Sequence, residues 1–109
     1  GGNGKQISIS GSSLNYGCGG GAGSHNGTDG TGGRGDGGDG CNGSDLPTAN
    51  QGGGGGGQGA PAGASGAVVL RFPTGCKPAG MSITPGCNTI TTTGSCTVLT
   101  FTVSGSASF

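Results

Sequence analysis

Five cysteines, four aspartates and a single histidine are the side chains best equipped for chemistry in this sequence of 109 residues. Cys18, Cys41, Cys76, Cys87 and Cys96 are spread along a small chain with few apolar residues to bury. Such a pattern points to stabilising disulfides and an oxidising compartment. Two intrachain bridges would leave one thiol over. The preferred pairing joins Cys18 to Cys41 and makes the second bridge within Cys76, Cys87 and Cys96. The competing reading keeps the thiols unbonded, packed as small hydrophobes. Metal ligation by these groups has weaker support, because no Cys-x-x-Cys pair exists and His25 is the sole histidine.

The aspartates suggest a second chemistry. Gly37-Gly38-Asp39-Gly40-Cys41-Asn42 comes near the Gly-Gly-x-Gly-x-Asp repeat of calcium-binding β-rolls, but it occurs once and has Asn in the ligand position. Asp29, Asp36, Asp39 and Asp45 would have to gather around a Ca²⁺ ion to bind it. Their simpler role is as turn formers or as solvated side chains on extended segments. Arg34-Gly35-Asp36 spells an integrin-recognition tripeptide, which arises easily by chance among so many glycines. Asn26-Gly27-Thr28 and Asn42-Gly43-Ser44 fit the N-glycosylation pattern, making Asn26 and Asn42 candidate acceptors. Matches to Gly-x-Gly-x-x-Gly lack a strand–turn–helix setting, so no dinucleotide cofactor is expected. No nucleophile–base pair can be assembled from these residues, and the chain is expected not to be an enzyme.

Composition narrows the choice further. Four Leu, four Ile, four Val and three Phe are too few for a conventional core, and the formal net charge is zero. A chain of this kind needs staples, partner chains or a dense backbone hydrogen-bond lattice. It has no basic excess and only one Tyr and three Phe to stack on bases, so nucleic acid is set aside. The longest apolar run, Ala67-Val68-Val69-Leu70, is far short of the ~20 residues of a membrane span. Neither an initiating Met nor a signal-peptide pattern is present, which reads as a processed product or a piece of something longer.

The elements that must position these residues are organised around residues 17–66, a stretch close to half glycine. Ordering each residue costs roughly 1–2 kcal/mol, and glycine brings no side chain to offset it. The stretch is therefore either a disordered linker or a set of packed extended helices. Glycines three apart (Gly17, Gly20, Gly23; Gly27, Gly30, Gly33; Gly37, Gly40, Gly43; then Gly57, Ala60, Gly63, Gly66) favour the second. Three residues per turn is the period of the polyproline II helix, which bonds sideways to its neighbours. The repeated slips of register and the small number of prolines exclude collagen itself. The fold expected is mostly irregular and β, with polyglycine II-like helices packed as a sheaf, a small antiparallel β cap and almost no α-helix.

Two parts follow from this, residues 1–66 and residues 67–109, which together form one structural unit. Gln6-Ile7-Ser8-Ile9-Ser10 alternates with period two and reads as a strand, and Leu14-Asn15-Tyr16 as a second. Residues 67–72 form a strand closed by Pro73. Residues 81–84 and 90–93 form short strands. Residues 96–104 form the strongest, with Leu99, Phe101 and Val103 on one face. The strand at 90–93 pairs with it across Gly94-Ser95. Residues 24–29 and 45–51 read as surface loops.

Three features in this order carry a resemblance: the lead-in Ile7-Ser8-Ile9-Ser10-Gly11-Ser12-Ser13-Leu14-Asn15-Tyr16, the strand Gly66-Ala67-Val68-Val69-Leu70-Arg71-Phe72-Pro73 after the glycines, and the closing Leu99-Thr100-Phe101-Thr102-Val103-Ser104-Gly105-Ser106-Ala107-Ser108-Phe109. Together they resemble the glycine-rich C-terminal domain of phage tail-fibre and other virion structural proteins. The resemblance implies a rigid virion appendage, or an adhesin tip whose loops touch a host-surface receptor or glycan. His25, Asn26, Thr28, Asp29, Asp45, Leu46, Thr48 and Asn50 are then the candidate contact residues. Self-association as a trimer or filament is expected, in a virion or extracellular setting, without membrane insertion. One alternative is a subunit of a self-assembling extracellular filament, joined by strand addition through Leu99, Phe101 and Val103. A more distant one is an ice-binding protein, a role that an absence of thermal hysteresis would remove.

Overall fold

The computed structural model describes residues 1–33, 37–41, 45–59 and 62–109. The Arg34-Gly35-Asp36 tripeptide, Asn42 and Ala60 lie outside the described residues. The chain divides into two compact units, one of Gly1–Ile7 with Leu14–Gly66 and one of Ser8–Ser13 with Ala67–Phe109. Among the described residues there is no α-helix, and the strands belong to small antiparallel sheets.

The first unit begins with a hairpin of β1 (Lys5–Ile7) and β2 (Leu14–Tyr16), paired Lys5 to Tyr16, Gln6 to Asn15 and Ile7 to Leu14. β1 is shorter than the alternation over residues 6–10 predicts. Gly11, at φ 97°, turns the chain back and donates its N–H to Ser8 O at 3.1 Å, so Ser8 begins a turn rather than extending the ladder.

Beyond β2 the described residues of this unit have no regular secondary structure, and backbone hydrogen bonds join segments far apart in sequence. Three of them bond in a closed circuit. Gly54 N donates to Cys18 O at 2.7 Å and Gly57 N to Gly21 O at 2.9 Å. Gly21 N donates to Gly38 O at 2.8 Å. Gly38 N then donates to Gly54 O at 3.0 Å, and Cys41 N to Gly57 O at 2.8 Å. Where two bonds join a pair of segments, both partners advance by three residues, so those segments run parallel in three-residue steps.

A further segment runs the opposite way. Gly30 N and Gly33 N donate to Ala22 O and Gly19 O at 2.7 and 2.8 Å. In return Gly30 O and Gly33 O accept from Gly40 N and Gly37 N at 3.0 and 3.3 Å. At the chain start, Gly19 N bonds Gly2 O at 2.8 Å, and the Gly1 ammonium donates to Thr31 O. Each such bond is worth about 0.5–1.5 kcal/mol net. Glycine is required because the backbones are so close. A methyl group at Gly20 would overlap Gly55 O, and one at Gly33 would overlap Gly2 O.

The second unit is built on a three-stranded antiparallel sheet in the order β3 (Val68–Pro73), β6 (Cys96–Phe101), β5 (Thr89–Thr93). Leu99 pairs with both Leu70 and Ile90, and Gly94, at φ 59°, turns β5 into β6. Central β6 is buried on both faces: Thr97, Val98 and Leu99 are each 0 % exposed. Full burial of an aliphatic side chain contributes about 1.5–3 kcal/mol, so this strand is the unit's principal apolar anchor. Between β3 and β4 (Ser82–Thr84) lies a single 3₁₀ turn, Thr74–Cys76. β4 pairs with β7 (Ser106–Ser108).

β6 stops before the predicted residue 104, and buried Asn88 is the reason. Its Oδ1 accepts Thr102 N at 2.9 Å and Val103 N at 3.2 Å, while its Nδ2 donates to Thr84 O at 3.2 Å. The two amides that would have continued the ladder are taken by this side chain. The chain then turns at Gly105, where a methyl group would strike Thr84 O and Asn88 Nδ2, and returns as β7.

Candidate functional site

The loop at residues 24–29 is closed by one of its own side chains. Ser24 N donates to Asp29 Oδ1 at 2.9 Å, an arrangement typical of aspartate in turns. His25, Asn26, Thr28 and Asp29 are all exposed. Cys41 and Gln58, from distant segments, complete the cluster. Cys41 Sγ lies 3.7 Å from both Ser24 O and Gln58 Oε1, and Gln58 Nε2 lies 3.5 Å from His25 Nδ1. Cys41 and Gln58 hold φ at 51° and 57°, a left-handed backbone that costs roughly 1–2 kcal/mol for such residues.

The electrostatics of this cluster are asymmetric. The hydrogen bond from the Cys41 thiol, with a second from Ser24 N, holds the Asp29 carboxyl below its ordinary value. The Asp29 carboxylate pushes the Cys41 thiol above the usual range, with desolvation adding to the effect. The Ser24 backbone pulls the other way but is outweighed, so the protonated thiol, a poor nucleophile, is favoured.

Asp39 has a similar local role to Asp29, its Oδ1 accepting Gly32 N at 2.7 Å. No group of three or more His, Cys, Asp or Glu among the described residues is placed to hold a metal ion.

The loop at residues 45–51 is tied down at its far end. Asn50 N donates to Ser65 Oγ and Ser65 Oγ donates to Asn50 Oδ1, both at 3.1 Å. Asp45, Leu46 and Thr48 are exposed, Leu46 at 70 %.

The thiols do not form the expected bridges. Cys41, Cys76, Cys87 and Cys96 are free thiols, and the pairing of Cys18 with Cys41 is not made. Cys41 faces Ser24 and Gln58, whereas Cys18 is buried with its sulfur against Gly4. On the sheet, Cys96 and Arg71 lie diagonally on one face of β6 and β3. The Arg71 guanidinium hydrogen-bonds the Cys96 thiol and draws it below its ordinary value. Arg71 Nη1 also donates to Ser8 O at 3.3 Å, fastening the Ser8–Ser13 segment to this sheet. Neither the Arg71 contact nor the buried Asn88 has a local sequence signal, since both depend on partners brought together by pairing.

No protein-family model, curated protein or solved structure matches this chain. Among the described residues, no helix is long and apolar enough to cross a membrane.

Proposed function

We propose that this chain is a structural and adhesive module of a virion appendage, a tail or capsid fibre. Its glycine-rich unit is a stiff bundle of polyglycine II-like helices. The observation that carries this reading is the circuit of three-residue-step hydrogen bonds among the segments holding Gly21, Gly38, Gly54 and Gly57. A rod made this way is slender, because bare backbones approach closely and no thick core is needed. The exposed loops at residues 24–29 and 45–51 present polar side chains and Leu46 to a host surface. The role is mechanical and recognitional rather than catalytic, and its setting is outside the cell.

A second reading, a self-assembling extracellular filament, is favoured by one feature. β3 is an edge strand with Val68 60 % and Leu70 47 % exposed, open to strand addition. Leu99 and Phe101 belong to the central strand, so an added strand would pair with β3 or β5 instead. Electron microscopy separates the two. Antibodies against the chain that decorate appendages of discrete particles support the first reading. Purified chains that assemble into long uniform fibrils support the second and end the first.

A further inference from the structure

Asparagine is followed directly by glycine at Asn3-Gly4, Asn26-Gly27 and Asn42-Gly43, and the first two pairs lie among the described residues. The fold treats these two differently. Asn3 leads into β1 and has a partner of its own, and a methyl group at Gly4 would overlap Tyr16 O and the Cys18 sulfur. Asn26 and Gly27 are both exposed, within the loop at residues 24–29. The bond from Ser24 N to Asp29 Oδ1 holds the ends of that loop. Between those ends, and among the described residues, neither the Asn26 carboxamide nor the Gly27 amide hydrogen-bonds another group.

That freedom matters because an asparagine carboxamide and the next backbone nitrogen can react with each other. The Gly27 nitrogen gives up its proton to hydroxide and attacks Asn26 Cγ. A nitrogen–carbon bond forms, the carboxamide carbon–nitrogen bond breaks, and ammonia leaves. Water then opens the five-membered succinimide at either carbonyl, leaving an aspartyl or isoaspartyl residue at position 26. Water is the only co-reactant, and nothing is oxidised or reduced. The rate depends on how readily the two atoms reach attacking geometry. A glycine nitrogen is unshielded and its backbone rotates easily, whereas an amide packed in a hairpin must first wait for local opening.

We propose that Asn26 is a site of spontaneous deamidation, through which the folded chain gains one negative charge beside Asp29. The reaction also destroys the Asn26-Gly27-Thr28 acceptor pattern and changes the charge of a loop assigned above to surface contact. It requires neither a rod nor a receptor. A failure of the appendage reading and a failure of this one are therefore distinguishable.

The test incubates the glycan-free full chain at mildly alkaline pH, both folded and in urea, and follows each asparagine by tryptic peptide mapping with mass spectrometry. Cleavage after Lys5 and Arg34 puts Asn3 and Asn26 on separate peptides. In the folded chain Asn26 should take on the mass of the nitrogen-to-oxygen exchange severalfold faster than Asn3, and its peptide should become a substrate for isoaspartyl methyltransferase. In urea the two rates should converge, since the hairpin no longer protects Asn3. Gly27→Ala should slow the conversion of Asn26 severalfold, and unchanged NMR signals outside the loop show that its fold persists. Four results would overturn the proposal: an Asn26 that stays intact, equal rates at Asn3 and Asn26 in the folded chain, a rate difference that survives in urea, or an undiminished rate in Gly27→Ala.

Discussion

Gly54 donates its amide hydrogen to the carbonyl of Cys18 at 2.7 Å, and three residues later Gly57 repeats the bond to Gly21 at 2.9 Å. The same two glycines accept from Gly38 and Cys41 through their carbonyls. Each of these glycines is thus used on both sides, which is how a segment without side chains is held in place. The amides of Gly30, Gly38, Gly54 and Gly57 should therefore exchange with deuterated water at least about a hundredfold more slowly than in an unstructured peptide. Exchange at the free-peptide rate would contradict this lattice and, with it, the proposed rod.

The close approach of these backbones predicts a sharp contrast between two glycines of the same unit. Gly20→Ala puts a methyl group into the carbonyl of Gly55, backbone that cannot rotate away. A cost of about 3 kcal/mol or more is expected in urea unfolding. Gly2→Ala meets nothing within 4 Å and should be neutral or stabilising by about 0.4–1 kcal/mol. Equal effects at the two positions would contradict the packing described.

Asn88→Ala should destabilise the second unit by about 2–4 kcal/mol. It leaves the amides of Thr102 and Val103 without their acceptor and Thr84 O without its donor. Asn88→Asp keeps the acceptor oxygens but faces Thr84 O with a carboxylate, so it should recover only part of the loss. Thermal unfolding of both variants measures this. A stable Asn88→Ala protein would mean that β6 ends for another reason.

Two thiols should have their titration midpoints shifted in opposite directions. Cys96, hydrogen-bonded by Arg71, is drawn below its ordinary value, and Cys41, beside Asp29, is pushed above it. Iodoacetamide labelling read by mass spectrometry should give Cys96 a lower pH midpoint than Cys41, and Arg71→Ala should move the Cys96 midpoint upward. The linkage signs follow. The Cys41 contribution to stability is complete below the unfolded thiol value and is lost as pH rises through the folded one. The Cys96 contribution is present above the unfolded value and is lost as pH falls through its depressed folded value. Coincident midpoints would remove both contacts.

Asp29 sets the acid side. Its folded value is depressed by Cys41 and by Ser24 N, so its contribution is present above the unfolded value. That contribution fades as pH falls through the folded value. Asp29→Asn should flatten the acid limb of stability against pH, and should loosen the loop at residues 24–29 in hydrogen exchange. An unaltered acid limb would show that the carboxylate is only a solvated side chain.

Much of the β architecture is legible in residue order. β2, β3, β4 and β5 fall close to the runs that period-two alternation and the flanking Pro and Gly mark out, and the pairing of β5 with β6 across Gly94-Ser95 is read correctly. The scarcity of α-helix follows from the absence of any 3.6-residue apolar period. Local alternation works here because a strand's two faces are written into neighbouring residues. β7 escapes it because Ser106-Ala107-Ser108 is too short and polar to stand out, and it exists only through β4. The double burial of β6 escapes as well, because alternation marks one apolar face and cannot show that Val98 is covered on the other.

The candidate site divides the same way. The turn-forming aspartates and the polar loop at residues 24–29 are visible as residue types, whereas the approach of Cys41 and Gln58 to that loop is not. By itself the sequence determined that this chain would be helix-poor and short of apolar core, and so in need of staples, partner chains or backbone hydrogen bonding, since composition limits what side chains can bury. Only the tertiary structure decided which glycines bond to which, where β6 stops and what each thiol faces. Those outcomes turn on contacts between residues tens of positions apart, and glycine, having no side chain, carries no mark of its partner.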